Sequence, residues 1–306
     1  MRKSYIWLLL IIICSFQLSG CSRKIDGDAK LDSDVKINGD AKLDSDVKIN
    51  GDTKLDGNVK IDSNVKLDRT AKMVNKAMTV EDYPSCIRLG NYVGVAVELP
   101  KNKKITDEDI QEQIAYALKG TGESTLTSQN VKAVSGYDSI EEYKKVIKKN
   151  LEKLNESSRQ NDLMNRAWDA ALKQAVLIKY PKDMLDTQIT QVKAGYKGYI
   201  GVFGKSYEEV LKYFGVTEED IQTKALNYVK SDLLVYAIAK AENIAVNEEE
   251  YKQEVKQRIK FFGVATEKEL ADKMGNGTDL HFVFLADRVM QFVYENAHIG
   301  EDGNSR

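Results

Sequence analysis

The chain has 306 residues, a formal net charge of −2, 42% hydrophobic and 30% charged residues. Balanced charge leaves no basic excess for gripping nucleic acid. His281 and His298 stand apart, and no Cys/His cluster has metal-ligand spacing, so neither a metal site nor a cofactor is expected.

In chain order, Arg2 and Lys3 precede an apolar run at 5–16. That run is too short to cross a bilayer core of about 30 Å as a helix, and it fits the apolar region of a signal peptide. Leu18-Ser19-Gly20-Cys21 then resembles a bacterial lipobox. The expectation is a signal peptide at 1–20 and a lipid anchor at 21–24, with Cys21 acylated. Each buried CH₂ of the acyl chains contributes about 0.8 kcal/mol. The mature chain would sit on the outer face of the bacterial cytoplasmic membrane. Cys14 would leave with the signal and Cys21 would carry lipid, which leaves Cys86 without a disulfide partner. No later apolar stretch is long enough to span a membrane.

Residues 25–72 repeat with a period of six, from IDGDAK and LDSDVK to LDRTAK, eight units in all. Apolar or small residues alternate with Asp, Asn and Lys, which is strand periodicity. A helix would turn each unit by about 600° and scatter its apolar positions. The pattern resembles the hexapeptide repeat of left-handed β-helices, though eight units make a marginal solenoid. The other reading is a polar disordered spacer that can bury little. Both stay open. Asp-Gly-Asp and Asp-Ser-Asp lack the twelve-residue calcium loop with its closing Glu. Either way the repeat holds an anchor away from a body, at a reach of roughly 40 Å as a coil and up to about 160 Å extended. Residues 73–90 read as a linker.

The body begins with "YVGVAVEL" at 92–99, an alternating Val-rich strand closed by Pro100. Helices follow. Capping-box pairs stand at Thr106/Asp109, Ser139/Glu142, Ser206/Glu209, Thr217/Asp220, Asn247/Glu250 and Thr266/Glu269. Gly120, Gly204, Gly215, Gly263 and Gly275 mark helix ends. The spacing predicts helices over 139–180, 183–203, 217–242, 247–262, 266–274 and 280–297. Pro181 closes the first and opens the second. The fold class is therefore mainly α: an extended multi-helix body with a short β-like segment near 92–99. No Gly-x-Ser-x-Gly, phosphate-binding loop or His-Glu-x-x-His is present, so no catalytic residue is nominated.

Several stretches of this body resemble trigger factor, a bacterial ribosome-associated chaperone family. "LTSQNVKAVSGYDSIEEYKKVIKKNLE" is similar to the start of its C-terminal domain. "YPKDMLDTQITQ", "FGVTEEDIQTKA", "AIAKAENIAVNEEEYKQEV" and "VMQFVYENAHI" follow in the family's order. "NYVGVAVELPKNKKITDEDIQEQI" looks like the lead-in to the family's isomerase domain. The resemblance implies a remnant of that lead-in at 91–125, a chaperone domain at 126–299 and a tail at 300–306. It implies a body with two helical arms enclosing a cradle, a fold shared with the non-catalytic part of foldases of the SurA and PrsA types.

Two departures qualify it. The ribosome-binding signature is absent. Only "KGTGEST" stands between Leu118 and Leu126, where the family carries its isomerase core. Seven polar residues cannot wall an apolar pocket for a prolyl bond, so no isomerase activity is expected, and a peptidyl-prolyl isomerase of the trigger factor type stays only as a minor alternative. The resemblance implies a holdase for unfolded or secreted polypeptides, and the lipobox adds the expectation that it is membrane-tethered and extracytoplasmic. Its client-binding candidates are Tyr196, Tyr199, Phe203, Phe261, Phe262 and Met274, with packing of helix on helix as the plainer role for each. The "AGYKGYIGVFGK" stretch invites exposure, because glycines interrupt its aromatics. The alternative is an assembly lipoprotein that self-associates through 25–72 and serves one dedicated partner.

Overall fold

The computed structural model describes residues 71–100, 104–119, 121–275 and 278–300. The signal segment, Cys21, the repeat up to residue 70, Gly120 and the tail beyond 300 lie outside the described residues.

The body is mainly helical. In chain order it runs β1 (Lys72–Val74), a 3-10 turn (Tyr83–Cys86), β2 (Ile87–Arg88), β3 (Ala96–Glu98), α1 (Asp107–Leu118), α2 (Val131–Ser135) and α3 (Ile140–Gln174). It continues through β4 (Val176–Leu177), β5 (Lys179–Pro181), α4 (Lys182–Lys197), α5 (Tyr199–Phe203), α6 (Tyr207–Phe214) and α7 (Glu218–Glu242). It ends with α8 (Glu248–Phe262), α9 (Glu267–Gly275), α10 (Leu280–Glu295) and β6 (His298–Gly300).

The apolar periodicity of the long helices builds one central core. Leu163, Ala167, Trp168 and Ala171 of α3 meet Val229, Leu233 and Ile238 of α7 and Ala286, Val289 and Val293 of α10. In α3 these residues recur at three- and four-residue steps, so one face of that helix is buried, whereas α7 buries 232–235 and 237–239 and is enclosed on every side there. Each large aliphatic side chain so buried contributes about 1.5–3 kcal/mol. Trp168 Nε1 donates to Ser231 Oγ at 3.0 Å, which satisfies the indole N–H inside the core.

Three smaller cores branch from it. Ile110, Ile114 and Leu118 of α1 pack with Ile147 of α3. Val192 and Tyr196 of α4, Val210 and Leu211 of α6, and Ile221 and Ala225 of α7 form the second. Tyr251 and Val255 of α8 join Leu270 and Met274 of α9 and Leu280, Val283 and Phe284 of α10 in the third. One central core with separate outlying cores is the extended body with arms that the sequence implies.

All six expected N-caps accept a backbone N–H: Asp109, Glu142, Glu209, Asp220, Glu250 and Glu269 donate to the side chain three residues before them. The reciprocal bond closes the box at Thr106, Ser206, Thr217 and Asn247. At Thr266 the acid bonds the N–H of Ala265 instead. Each such cap contributes about 1 kcal/mol. Gly204, Gly215 and Gly263 end helices in the left-handed conformation. Asn243 does so without being glycine, at φ 55°. After Gly215, Asn243 and Gly263, the N–H of Val216, Ile244 and Val264 reaches back to Leu211, Ala239 and Ile259. Each of these three residues also packs on a core, as that closure favours.

Three expectations are corrected. The strand at 92–99 shrinks to Ala96–Glu98, because Gly94 turns at φ +71° and gives its N–H to Asn296. The helix over 139–180 stops at Gln174. Beyond it, β4 pairs antiparallel with β2 and β5 pairs parallel with β1. Backbone partners supplied from residues 72–88 outcompete continuation of the helix. The same pairing overturns the linker reading of 73–90. Cys86 is fully buried, and Ile87, Met78, Tyr83 and Leu89 lie in or against the central core.

Candidate functional site

Gly198 interrupts the helix expected over 183–203 and separates α4 from α5. Gly204 then ends α5 at φ +60° and Gly215 ends α6 at φ +64°. These short helices fold back on one another and bring five rings together. Tyr199 and Phe203 stack at 5.5 Å. Phe214 meets Tyr199 edge-on at 5.0 Å and Tyr196 at 5.9 Å. Tyr213 lies 5.1 Å from Phe203 and 5.3 Å from Phe214. Ring pairs of this kind contribute roughly 0.5–1.5 kcal/mol beyond area burial, so the cluster is held in shape.

The cluster is apolar, ordered and open. Tyr196 closes it from beneath at 5% exposure, while Tyr213, Phe214 and Val202 are 58%, 38% and 74% exposed. Tyr199 and Phe203 are half-buried between them. Two lysines lie over rings of this lobe. Lys224 Nζ lies 5.7 Å from the Tyr196 ring and Lys197 Nζ 5.9 Å from the Tyr207 ring. Lys193 is paired with Glu218 at 2.7 Å. Burial pushes the Tyr207 hydroxyl up, followed by the nearby Glu218 charge. Nothing here resembles a nucleophile with its base. The arrangement can offer ring faces and edges to an apolar segment, with no bond made or broken.

The remaining candidates lie in or beside the third core. Phe261 and Phe262 meet edge-on at 5.0 Å at the end of α8. Phe261 is 53% exposed, and Phe262 packs against the core. The expectation that Tyr196 and Met274 face a client is corrected: both are on the inner faces of their helices, and Met274 is 5% exposed. The six sequence candidates thus fall into two groups, in or beside separate cores.

Sequence reading missed Val202, Tyr213 and Phe214. The signal was "KYFG": Val210 and Leu211 already supply the inner face of α6, so two further rings before a helix-ending glycine have no core left to fill. At the root of this lobe, Gln188 Nε2 donates to Asp232 Oδ2 at 2.8 Å. Burial pushes the Asp232 carboxyl up to about 7, the Gln188 bond opposing it. Among the described residues no His, Cys, Asp or Glu group is arranged to hold a metal, and no helix is long and apolar enough to cross a membrane.

The family model for the bacterial trigger factor protein C-terminus matches residues 139–293, just over half of the chain. That span covers α3 through most of α10 and includes the ring cluster. Relatives include Trigger factor of Caldicellulosiruptor saccharolyticus, 26% identical over 57% of this chain and 41% of its own length. Trigger factor of Agathobacter rectalis is 26% identical over 72% of this chain and 52% of its own. Trigger factor of Finegoldia magna is 27% identical over 52% and 37%. The chain spans about half or less of the length of the curated relatives it matches. The family match, with the helical body it covers, identifies the chain as a member of the bacterial trigger factor C-terminus family.

Proposed function

We propose that the chain is a chaperone of the holdase type, which shields unfolded polypeptides without chemical change. The observation that carries this reading is the open ring cluster of Tyr199, Phe203, Tyr213 and Phe214 with Val202 beside it. Exposed apolar patches mark binding surfaces. Rings that already pack on one another lose little conformational entropy on binding. Weak, sequence-tolerant capture of apolar segments follows. Phe261 and Phe262 offer a second contact of the same kind, with Tyr196 and Met274 holding each site from beneath.

The lipobox at Cys21 supports the finer reading, in which the protein works tethered to the outer face of the cytoplasmic membrane on secreted clients. Residues 25–70 would then set its reach. Isomerase activity has no part in this proposal. The groove beside the short loop that follows Leu118 is lined by aliphatic and polar residues with no aromatic ring.

The test is light scattering as a chemically unfolded client is diluted with and without the full chain. Suppressed aggregation at near-stoichiometric amounts is expected. Phe203→Ser with Tyr213→Ser should weaken it several-fold at unchanged helical circular dichroism. No suppression by the wild-type chain would remove the holdase reading and leave a dedicated partner in its place.

A further inference from the structure

A second surface lies away from the ring cluster, in the lobe of α1 and the first half of α3. An open groove of about 480 Å³ runs between α1, residues 123–126 and the start of α3. Its floor is aliphatic: Ile114, Leu118, Leu126 and Ile140. The loop that shapes it is held by its own bonds. Thr121 gives both its N–H and its hydroxyl to Leu118 O, at 3.1 and 2.8 Å, and Thr121 Oγ1 accepts from Glu123 N–H at 3.2 Å. The groove is thus a formed feature of the fold.

The rim is unequal in charge. Lys119 and Lys144 line it against one acid, Glu123. Lys148 continues the row of Lys144 one helical turn on. Lys145, Lys149 and Lys153 lie further round the helix, about 100–180° from Lys144, and between 143 and 153 only Glu152 is acidic. Lys145, Lys148, Lys149 and Lys153 are exposed. Glu141 and Glu142 occupy the first turn of α3, where they complement the helix N-terminus.

An apolar floor with a lysine-rich margin selects a particular ligand. We propose that this groove docks an extended polypeptide segment carrying one or two aliphatic side chains flanked by Asp or Glu. The aliphatic groups would fill the space over Ile114 and Leu118, and the flanking carboxylates would meet Lys119, Lys144 and Lys148. Rim charges of this kind act mainly on specificity and association rate and weaken with salt. The chain would then hold a client or partner at two chemically different places: aromatic contact at the α4–α6 lobe, and acid-flanked aliphatic contact here.

Fluorescence anisotropy on the full chain tests this with three labelled peptides: Leu-Leu flanked by Asp and Glu, the same core flanked by Lys, and an acidic peptide with Ser for Leu. The first should bind at least fivefold tighter than either other, and its affinity should fall between low and high salt. Lys119→Glu with Lys144→Glu should remove the preference, and Lys148→Glu alone should weaken it. Phe203→Ser with Tyr213→Ser should leave it unchanged, which separates this site from the ring cluster. Equal binding of the acidic and basic peptides would overturn the proposal. So would an acid preference that survives the double lysine replacement. Lysine-dependent binding to phosphatidylglycerol vesicles that the acidic peptide does not displace would also overturn it, in favour of a lipid surface.

Discussion

Asp232 is a carboxyl only 8% exposed, in the helix that links the central core to the ring-bearing lobe. Burial raises it from 3.8 in the free side chain to about 7. The native state therefore holds this proton more tightly than the unfolded chain, and stability should be lost progressively as pH rises from about 3.8 to about 7. Asp232→Asn keeps an oxygen for Gln188 and removes the titration. In urea unfolding it should match the wild type only near about pH 3.5, pull ahead of it progressively as pH rises, and exceed it by a few kcal/mol near about pH 8. Equal pH slopes for the two proteins would refute this assignment. Gly90 acts by shape. A Cβ there would sit 2.4 Å from Gln174 O and 2.6 Å from Gln174 Cβ. Gly90→Ala should cost about 1–3 kcal/mol, read as a lowered Tm; an unchanged Tm would mean that α3 can shift freely at its end. Neither residue could be picked from sequence. An Asp in a helix is usually a solvated charge, and Gly90 looks like any loop glycine until the end of α3 arrives beside it. The same holds for Arg258, which reaches Asp287 at 2.6 Å inside the third core and stacks over Phe284 at 4.4 Å. Burial pushes Asp287 up, and Arg258 opposes that shift. Its partner lies 29 positions away.

At the scale of elements, helix starts were legible because caps are local chemistry: a side chain and an N–H three residues on. All six expected caps formed for that reason. Helix ends were legible only where glycine took the left-handed turn, and Asn243 escaped notice by doing the same work. What could not be read was pairing at long range. Residues 72–88 looked like a polar connection, yet they supply strand partners to 176–181 and a buried Cys86 to the core. This segment binds the point where α3 hands over to α4, the root of the ring-bearing lobe. Replacing 71–90 with a Gly/Ser stretch of equal length should lower the thermal midpoint by many degrees and broaden the transition. A midpoint identical to wild type would return the segment to the status of a linker.

Across the whole molecule, a central core from three long helices supports outlying lobes with their own small cores. Such lobes bury less surface than the centre, so they hold apolar faces open at modest cost to overall stability. The architecture was readable from the sequence: several weak motifs in the right order, most of them on capped helices. The composition of the exposed face was only partly readable. Tyr199 and Phe203 were nominated, but two of the four open rings come from α6, and only the fold brings α5 and α6 together.

The most direct measurement places a photo-crosslinking residue at Val202, which is 74% exposed beside the rings. The full chain would be irradiated with one client protein, native or chemically unfolded. Adducts with the unfolded client alone, competed by excess unlabelled unfolded protein, are what this account predicts. Equal adducts with native and unfolded client, or none with either while the chain remains helical, would contradict it.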